Sequence, residues 1–421
     1  MKIVRAILLI SILLAPILVS ASDWPQYLGP DRNAVSGEKG LLRSWPPEGP
    51  KVLWTVPLGE GFGGPAVSKG KVYVYDRVDD KTNILRCLDL MTGKEEWTFS
   101  HEAPGSVSYD GSRSVPTIDG NRIYICDLFG NLHCVDKNTH KALWHKNLWT
   151  DFGGTEYPRW AIAQNPLVYK NMVIVASQTQ EAGLVAYDKE NGNIIWKTPK
   201  LPGNAGYVSP AIVKISGEEH LVMISAGGMM NSPDKGIVGG YNPETGAPLW
   251  SFDGWQCGIP IPNVTQISDN QIFITAGYNA GGTLMEINKF EGSYVVEEIM
   301  HNKVFSTHAH PAILYKGHLY GHCSDIMKQD GFACMDLKGD IKWMTKRKPN
   351  FDKGGMILVD DMIISSDGEK DLYLIEPTPE EFRVLAKAEL LGTKQSWAPL
   401  ALSDGKLIIR DQKQMKCVLL K

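Results

Sequence analysis

The residues that could do chemistry in this sequence are cations, imidazoles, amides and indoles that stand just before, or close to, short apolar runs. An arginine pairs with carboxylate or phosphate groups, and an indole attracts cations through its ring face. Such a set could bind an anionic or planar ligand, whereas a polar, water-filled opening without a specific ligand would use the same residue types. The candidate ligand-binding residues are Arg113, Arg159, Trp160, Gln164, Asn165, Asn263, His308, His310, Lys353 and Trp397.

The motif THAHP (307–311) is the one place where a metal site comes into question. Two histidines at positions i and i+2 of a strand point to the same side of it. Zinc sites in proteins use three or four protein ligands, and the spacing supplies no third one. We therefore predict no metal site. No Ser-His-Asp arrangement or pair of catalytic carboxylates can be assigned, so no catalytic residue is predicted.

These candidates belong to a repeating sequence, and the repeat is easiest to see in a phrase that ends in tryptophan. The intervals between the five tryptophans are 47, 52, 54 and 93 residues, so one unit before the last has lost its tryptophan. That unit contains INKFEGSYVV (287–296), which places Val296 in the tryptophan position. A more degraded copy is IEPTPEEFRVL (375–385). The five clear copies are MTGKEEW (91–97), NTHKALW (138–144), ENGNIIW (190–196), ETGAPLW (244–250) and LKGDIKW (337–343).

A second phrase gives an independent count of the units. It runs from a proline or small residue through apolar residues and a turn to a β-branched run. Eight copies are present, and most of the candidate residues stand at their starts. The copies are GPAVSKGKVYV (64–74), VPTIDGNRIYI (115–125), NPLVYKNMVIV (165–175), SPAIVKISGEEHLVMI (209–224), VTQISDNQIFI (264–274), HPAILYKGHLY (310–320), GMILVDDMIIS (355–365) and APLALSDGKLII (398–409).

The repeat predicts an all-β fold. Short Val/Ile/Tyr-rich runs separated by Lys-Gly, Asp-Gly, Asn-Gly or Thr-Gly turns are typical of antiparallel hairpins. No stretch after the first 21 residues keeps a helical apolar spacing. A unit near 47 residues holds four strands, and eight such sheets packed around an axis form an eight-bladed β-propeller of four-stranded antiparallel blades. The tryptophan of each unit should pack between adjacent blades.

The ends of the repeat predict how the ring closes. The eighth unit stops at QMKCVLLK, before its expected tryptophan strand. The run PKVLWTVPL (50–58), with Trp54, precedes the first unit without a partner of its own. We predict that this N-terminal strand completes the last blade. The turn before each tryptophan should be initiated by Asp or Asn and should use the positive φ of a glycine.

The chain ends and the bulk composition limit the function classes. The net charge of −4 and pI near 6.2 give no reason to expect nucleic-acid binding. Lys2 and Arg5, an apolar run from 6 to 19 and small residues up to Ala21 predict a signal peptide at 1–21, with export to the periplasm or beyond. We expect an N-terminal segment at 22–49, a single propeller at 50–421, no remaining membrane anchor and a monomer.

Seven cysteines could form disulfides in an exported chain. Four of them occupy one equivalent strand position, so packing in the core is the favoured interpretation. Disulfides Cys126–Cys134 and Cys323–Cys334 across hairpins are the alternative. There is no Cys-x-x-Cys pair for zinc or haem.

The inner SP-A-I strands and outer Y-D-x-x-T-G-x-x-x-W turns resemble the PQQ-like repeat of the quinoprotein propellers, and DWPQYLGPDRNAVSG (23–37) looks like the start of BamB-like exported propellers. The resemblance implies either a dehydrogenase with PQQ and calcium or a binding scaffold. The dehydrogenases typically have a disulfide between adjacent cysteines, which this chain lacks. We therefore expect an exported, non-catalytic scaffold for envelope proteins or a small ligand, with no cofactor. The alternative is an oxidoreductase using PQQ and calcium in the axial funnel.

Overall fold

The computed structural model describes residues 23–227, 234–325 and 328–421. These residues form 33 β-strands in eight sheets, together with one short 3-10 helix at Thr150–Phe152. The structure confirms the all-β, eight-bladed propeller. No helix in these ranges has the length and apolar character needed to cross a membrane. The predicted signal peptide lies outside the described residues.

The strands follow the chain around the ring. Two strands precede the blades: β1 Val35–Ser36 and β2 Val52–Pro57. Blades 1 to 4 contain β3 Ala66–Ser68, β4 Lys71–Val78, β5 Thr82–Asp89 and β6 Glu95–Glu102; β7 Thr117–Asp119, β8 Arg122–Cys126, β9 Asn131–Asp136 and β10 Ala142–Asn147; β11 Leu167–Tyr169, β12 Met172–Ala176, β13 Leu184–Asp188 and β14 Ile194–Lys197; and β15 Ala211–Ile215, β16 Glu218–Ile224, β17 Val238–Tyr241 and β18 Pro248–Phe252. Blades 5 to 8 contain β19 Thr265–Gln266, β20 Gln271–Ala276, β21 Gly281–Phe290 and β22 Ser293–Asn302; β23 Ile313–Tyr315, β24 His318–Ser324, β25 Gln329–Asp336 and β26 Ile341–Met344; β27 Met356–Val359, β28 Met362–Ser366, β29 Asp371–Glu376 and β30 Arg383–Glu389; and β31 Ala401–Ser403, β32 Lys406–Arg410 and β33 Gln414–Leu419.

The ring is closed without a covalent bond, as the repeat predicts. Strand β2 pairs antiparallel with β33 and becomes the outer strand of blade 8, with Trp54 opposite Cys417. The short strand β1 adds to blade 7 by a parallel pairing with β27. Each hydrophobic cluster combines residues of more than one blade, so the core lies mainly between the sheets.

Adjacent blades are joined by an indole that lies on a glycine. A Cβ atom added to Gly93 of blade 1 would stand 2.7 Å from the ring of Trp54 in blade 8. The corresponding distance is 2.8 Å between Gly192 and Trp144, and it is 2.6 Å between Gly246 and Trp196. Because no other residue lacks a Cβ, only glycine allows the ring to lie this close.

The turn that carries this glycine is built as predicted. Oδ1 of Asp89 accepts hydrogen bonds from the backbone N–H groups of Met91 (3.1 Å) and Thr92 (3.0 Å). Gly93 then takes a φ of +69°. The glycine therefore has two tasks, since it supplies the positive φ of the turn and leaves room for the neighbouring indole. Equivalent side-chain-initiated turns begin at Asp136, Asp188, Asn242 and Asp336.

The structure corrects the assignment of Val296 to the tryptophan position of blade 5. The hairpin of β21 and β22 is longer than in the other units, because its two strands stay paired as far as Phe290 and Ser293. Met300 lies opposite Leu284, in the position that tryptophans occupy elsewhere. A Cβ added to Gly339 of blade 6 would meet Cγ of Met300 at 2.8 Å, so the methionine replaces the indole in the same contact.

All seven cysteines are buried and free. Cys87, Cys134, Cys334 and Cys417 each lie opposite the tryptophan of their blade, which agrees with one shared strand position. The alternative disulfides do not form, because Cys126 lies opposite Leu132 and Cys334 lies opposite Tyr320.

The N-terminal segment runs along the inner strands of five blades. It pairs with blade 1 through Trp24 and with blade 7 through Ala34. The guanidinium group of Arg32 is buried and donates hydrogen bonds to main-chain carbonyls at the inner-strand starts of blades 3 and 4. Its acceptors are the carbonyls of Asn165, Pro166 and Pro210. The contact with blade 2 is a hydrogen bond from the N–H of Ile118 to the carbonyl of Pro25.

We expect Gly192→Ala to destabilise the protein more than Gly217→Ala, its matched control. Both glycines have a positive φ, +73° and +77°, so both alanines carry the strain of about 1–2 kcal/mol. No atom lies within 4 Å of a Cβ at 217, whereas a Cβ at 192 meets Trp144, which adds about 1–3 kcal/mol. Urea unfolding monitored by circular dichroism measures the difference. In a Trp144→Ala background the two substitutions should have equal effects, and a persistent gap would contradict the contact.

Candidate functional site

A cavity of about 380 Å³ lies on the propeller axis, at the ends of the chain segments that lead into the inner strands. Nine of the ten candidate residues line it. They are Arg113, Arg159, Trp160, Asn165, Asn263, His308, His310, Lys353 and Trp397. The long connection between blades 2 and 3 supplies Arg159 and Trp160, and the N-terminal segment contributes Tyr27.

Gln164 does not line this cavity. Its side chain is buried, its Nε2 donates to the carbonyl of Val208 at 3.0 Å, and its Oε1 accepts from the N–H of Ala176 at 3.2 Å. The amide therefore joins neighbouring blades and is not part of the candidate site. Asn165 faces the cavity but also holds the wall together, since its Oδ1 accepts from Val115 N at 2.7 Å.

Arg113 is a partly buried cation that forms no ion pair with a carboxylate among the described residues. Its guanidinium donates to the carbonyls of Gly111 at 3.0 Å and of Ser108 at 2.8 Å, which are neutral acceptors. Burial lowers the pKa of Arg113 to about 10, so the group stays protonated at neutral pH. Its positive charge is therefore available to an anion in the cavity.

Lys353 and Trp397, which precede the inner strands of blades 7 and 8, form a second cationic element. The Nζ atom of Lys353 lies 4.3 Å from the ring centroid of Trp397, a cation–π distance. Asp352 holds both residues, since it pairs with Lys353 and accepts a 2.8 Å hydrogen bond from Nε1 of Trp397. The ring of Phe62 stacks on Trp397 at 5.2 Å.

The lining has one sign of charge. Its three lysine and arginine side chains are Arg113, Arg159 and Lys353, and no aspartate or glutamate is among the lining residues. Asp352, the ion-pair partner of Lys353, is not among the lining residues. Cations in a cavity walled by apolar rings concentrate the field on an entering anion. The aromatic lining residues are Tyr27, Phe62, Tyr109, Trp160, Tyr207, Tyr278 and Trp397.

Five of these rings were not predicted. Phe62 precedes the inner strand of blade 1 by the same interval as Arg113 precedes that of blade 2, so the repeat alignment could have found it. Tyr109, Tyr207 and Tyr278 lie in connections outside the repeated phrases, where no periodic signal exists. Tyr27 comes from the segment before the first blade.

Two polar side chains facing the cavity have unused hydrogen-bonding atoms. Asn263 is 2% exposed, and neither its Oδ1 nor its Nδ2 has a partner. His308 is 5% exposed, and its Nδ1 is also unpaired. Buried polar atoms without partners are rare in native proteins, so these atoms are suited to a polar group of a bound molecule.

Both histidines of the THAHP motif are neutral at pH 7. Burial and the nearby Lys353 lower the pKa of His308 to about 4. Burial also lowers the pKa of His310 to about 4, and its Nε2 donates to the carbonyl of Trp397 at 2.8 Å. Among residues 23–227, 234–325 and 328–421, no three His, Cys, Asp or Glu side chains are grouped so as to hold a metal ion.

The comparisons with known proteins agree with this fold. Residues 80–251 match the sequence profile of a family described as outer membrane protein assembly factor BamB. BamB of Shewanella oneidensis is 27% identical over 164 residues, which are 38% of this chain and 40% of that protein. The structure of BamB from Moraxella catarrhalis superposes with a TM-score of 0.61 at 13% identity, covering 88% of this chain and 98% of that one. The protein matches the PQQ-like β-propeller family.

Enzymes are also among the relatives of this PQQ-like propeller. Quinohemoprotein alcohol dehydrogenase of Comamonas testosteroni is 28% identical over 149 residues, 33% of this chain and 20% of the enzyme. Its crystal structure superposes with a TM-score of 0.64 at 12% identity, covering 95% and 80% of the two chains. At such identities the superpositions show the fold alone. The chain spans a fifth to two fifths of the length of these curated relatives.

The lining fits one part of the PQQ and calcium pair that the family resemblance implies. A flat, anionic molecule such as PQQ meets cations and aromatic rings here. Calcium takes oxygen ligands and favours carboxylates, and no carboxylate lines the cavity. The sequence also lacks the adjacent cysteines typical of the dehydrogenases. The residues present therefore do not fit a calcium-dependent quinoprotein centre.

We expect His310 to weaken the fold as the pH falls. The pKa of His310 in the folded protein is about 4, below the ordinary value of about 6.5. Between these two pH values the unfolded chain binds a proton at this residue and the folded chain does not. Stability should decrease by about 1.4 kcal/mol per pH unit for this residue between pH 6.5 and 4. In urea titrations at pH 7, 6 and 5, His310→Gln should show a shallower decline than the wild-type protein. Equal declines would contradict a neutral, buried imidazole.

Proposed function

We propose that this PQQ-like propeller is an exported, non-catalytic binding module of the cell envelope that holds a flat, anionic group in its axial cavity. The observation that carries the proposal is the sign of the lining charge. Three cations face a cavity of about 380 Å³ that has seven aromatic residues and no carboxylate in its wall. A ligand with carboxylate or similar groups on a planar framework is complementary to this wall.

The separate elements of the cavity support different parts of such a ligand. Arg113 and Lys353 supply charge to anionic substituents, and their position in a low-dielectric wall strengthens the attraction. Trp160 and Trp397 offer ring faces for stacking. Asn263 has a free donor and a free acceptor, so it can pair with a polar edge of the ligand.

The envelope location and a protein partner are further parts of the proposal. They are supported by the apolar N-terminal run and by the similarity to the BamB family and to BamB of Shewanella oneidensis, an outer membrane protein assembly factor. An anionic side chain or chain end of a partner protein has the same charge as a small ligand. The cavity therefore suits either kind of guest.

An oxidoreductase is the second candidate function, because several relatives are quinoprotein dehydrogenases and because PQQ is itself a flat anion. The positive charge of the lining is compatible with binding of PQQ. Calcium binding is less favourable, because no carboxylate lines the cavity. Under this candidate, Arg113 and Lys353 would hold the cofactor and Trp397 would stack against it. The cofactor would supply the redox chemistry.

We expect the wild-type protein to bind benzene-1,3,5-tricarboxylate in isothermal titration calorimetry, and to bind the neutral benzene-1,3,5-tricarboxamide much more weakly. Arg159→Gln removes an exposed lining cation that stacks on Trp160 at 5.2 Å, and should weaken binding about tenfold. Lys338→Gln, at an exposed position on blade 6, is the matched control and should have no effect. Equal binding of the two probes, or equal effects of the two variants, would reject the cationic cavity.

Addition of PQQ with and without calcium separates the two functions. We expect PQQ to bind without a requirement for calcium, and alcohol oxidation coupled to a redox dye to stay at the background rate. The absorbance of PQQ measures binding, and dye reduction measures turnover. Calcium-dependent binding with turnover would reject the non-catalytic module and favour the oxidoreductase.

A further inference from the structure

The outer strand of blade 5 is unlike the outer strands of the other blades. Strand β22 has ten residues, whereas β14 and β26 have four each. It pairs with β21 on one side, and no described strand pairs with its other side. Its outer edge therefore leaves backbone N–H and C=O groups open to a further strand.

The side chains around this strand are apolar and acidic. Phe290 is 67% exposed, Val295 is 49% exposed and Ile299 is 47% exposed. Glu291, Glu297 and Glu298 are exposed as well, and none of them forms an ion pair with a described residue. We call this surface the blade 5 edge. It consists of Phe290, Glu291, Val295, Glu297, Glu298 and Ile299.

The other faces of the hairpin are already occupied. Tyr294 and Val296 pack against the core between blades 3, 4 and 5, and Met300 packs towards blade 6. Lys289, the one cation at the tip of the hairpin, is held by Glu218 of blade 4. The hairpin is thus fixed in place, while the blade 5 edge has no partner among the described residues.

Natural proteins keep edge strands short, or they protect the edge with lysines, prolines or bulges. Strand β22 has no lysine and no proline, and its one bulge lies beside Met300. The outer strand of blade 1 is also long, but Glu95 and Glu96 are neutralised there by Arg86 and Lys71. The acidic groups of the blade 5 edge remain available, which favours a partner of opposite charge.

We propose that the blade 5 edge binds an extended segment of another protein in which basic and apolar residues alternate, and that this segment adds a fifth strand beside β22. The main-chain groups of β22 supply the hydrogen bonds of such a β-augmentation. The glutamates pair with basic residues across the strands, and Val295 and Ile299 contact apolar ones. The surface is separate from the axial cavity, so the proposal does not depend on ligand binding there.

The test uses a blocked ten-residue peptide of alternating lysine and valine, labelled for fluorescence anisotropy and titrated with the full-length protein. We expect binding, and no binding of the glutamate–valine peptide of the same length. N-methylation of alternate valines removes backbone donors and should abolish binding. Hydrogen exchange should slow for the amides of Ser293–Asn302 when the peptide is present.

Charge reversal on the protein gives the matched comparison. Glu297→Lys with Glu298→Lys should weaken binding of the lysine–valine peptide at least tenfold and allow the glutamate–valine peptide to bind. Glu380→Lys with Glu389→Lys makes the same charge change at exposed positions on blade 7 and should leave binding unchanged.

Three results would overturn the proposal. They are equal binding of the two peptides, protection of amides at a different blade, and no binding up to ~1 mM of peptide. Sedimentation velocity tests the remaining occupant, a second copy of this chain. A dimer that the Glu297→Lys, Glu298→Lys variant converts to monomer would assign the edge to self-association and would also overturn the proposal.

Discussion

Each four-stranded sheet of this propeller can bury its two faces only against its neighbours, and the contact that joins several neighbours is an indole lying on a glycine. Trp144 can rest on blade 3 only because Gly192 has no Cβ, and Gly192 stands there because the turn that Asp188 initiates needs a positive φ. One turn therefore sets both the end of a hairpin and the spacing between blades. The position of the axial cavity follows, since the ring of blades fixes where the inner-strand starts meet.

Features encoded in the repeat could be predicted from the sequence, because each copy supports the others. The number of blades, the closing strand with Trp54 and the shared position of four cysteines all follow from aligned copies. The prediction failed where a unit departs from the repeat. In blade 5 the hairpin is extended, so counting from the turn points to Val296 although Met300 makes the contact. The bulge beside this position recurs in the other blades, so it is the changed length of the hairpin that breaks the count.

The residues of the candidate site also fall into those that the repeat could place and those that it could not. Residues just before inner strands, such as Asn263 and His308, could be placed because the repeat fixes where those strands start. Gln164 occupies a similar position but turns its amide into hydrogen bonds between blades, which depends on its rotamer and has no sequence signal. Tyr27 and Tyr207 reach the cavity from non-repeating connections, and only the folded chain brings them there. The positive charge of this cavity comes from Arg113, Arg159 and Lys353, which all lie outside the repeated phrases.

The closing of the ring has a consequence for the order in which the protein can be completed. The strand that finishes blade 8 is β2, one of the first strands to be synthesised, whereas its partner β33 ends two residues before the last residue of the chain. Until β33 emerges, β2 has no sheet to join and the edges of blades 1 and 8 stay open. If the chain is exported, a chaperone or the export machinery would have to shield an apolar strand for the whole of translocation. Ring closure then serves as a check on completeness, because a chain truncated within its last blade cannot bury Trp54.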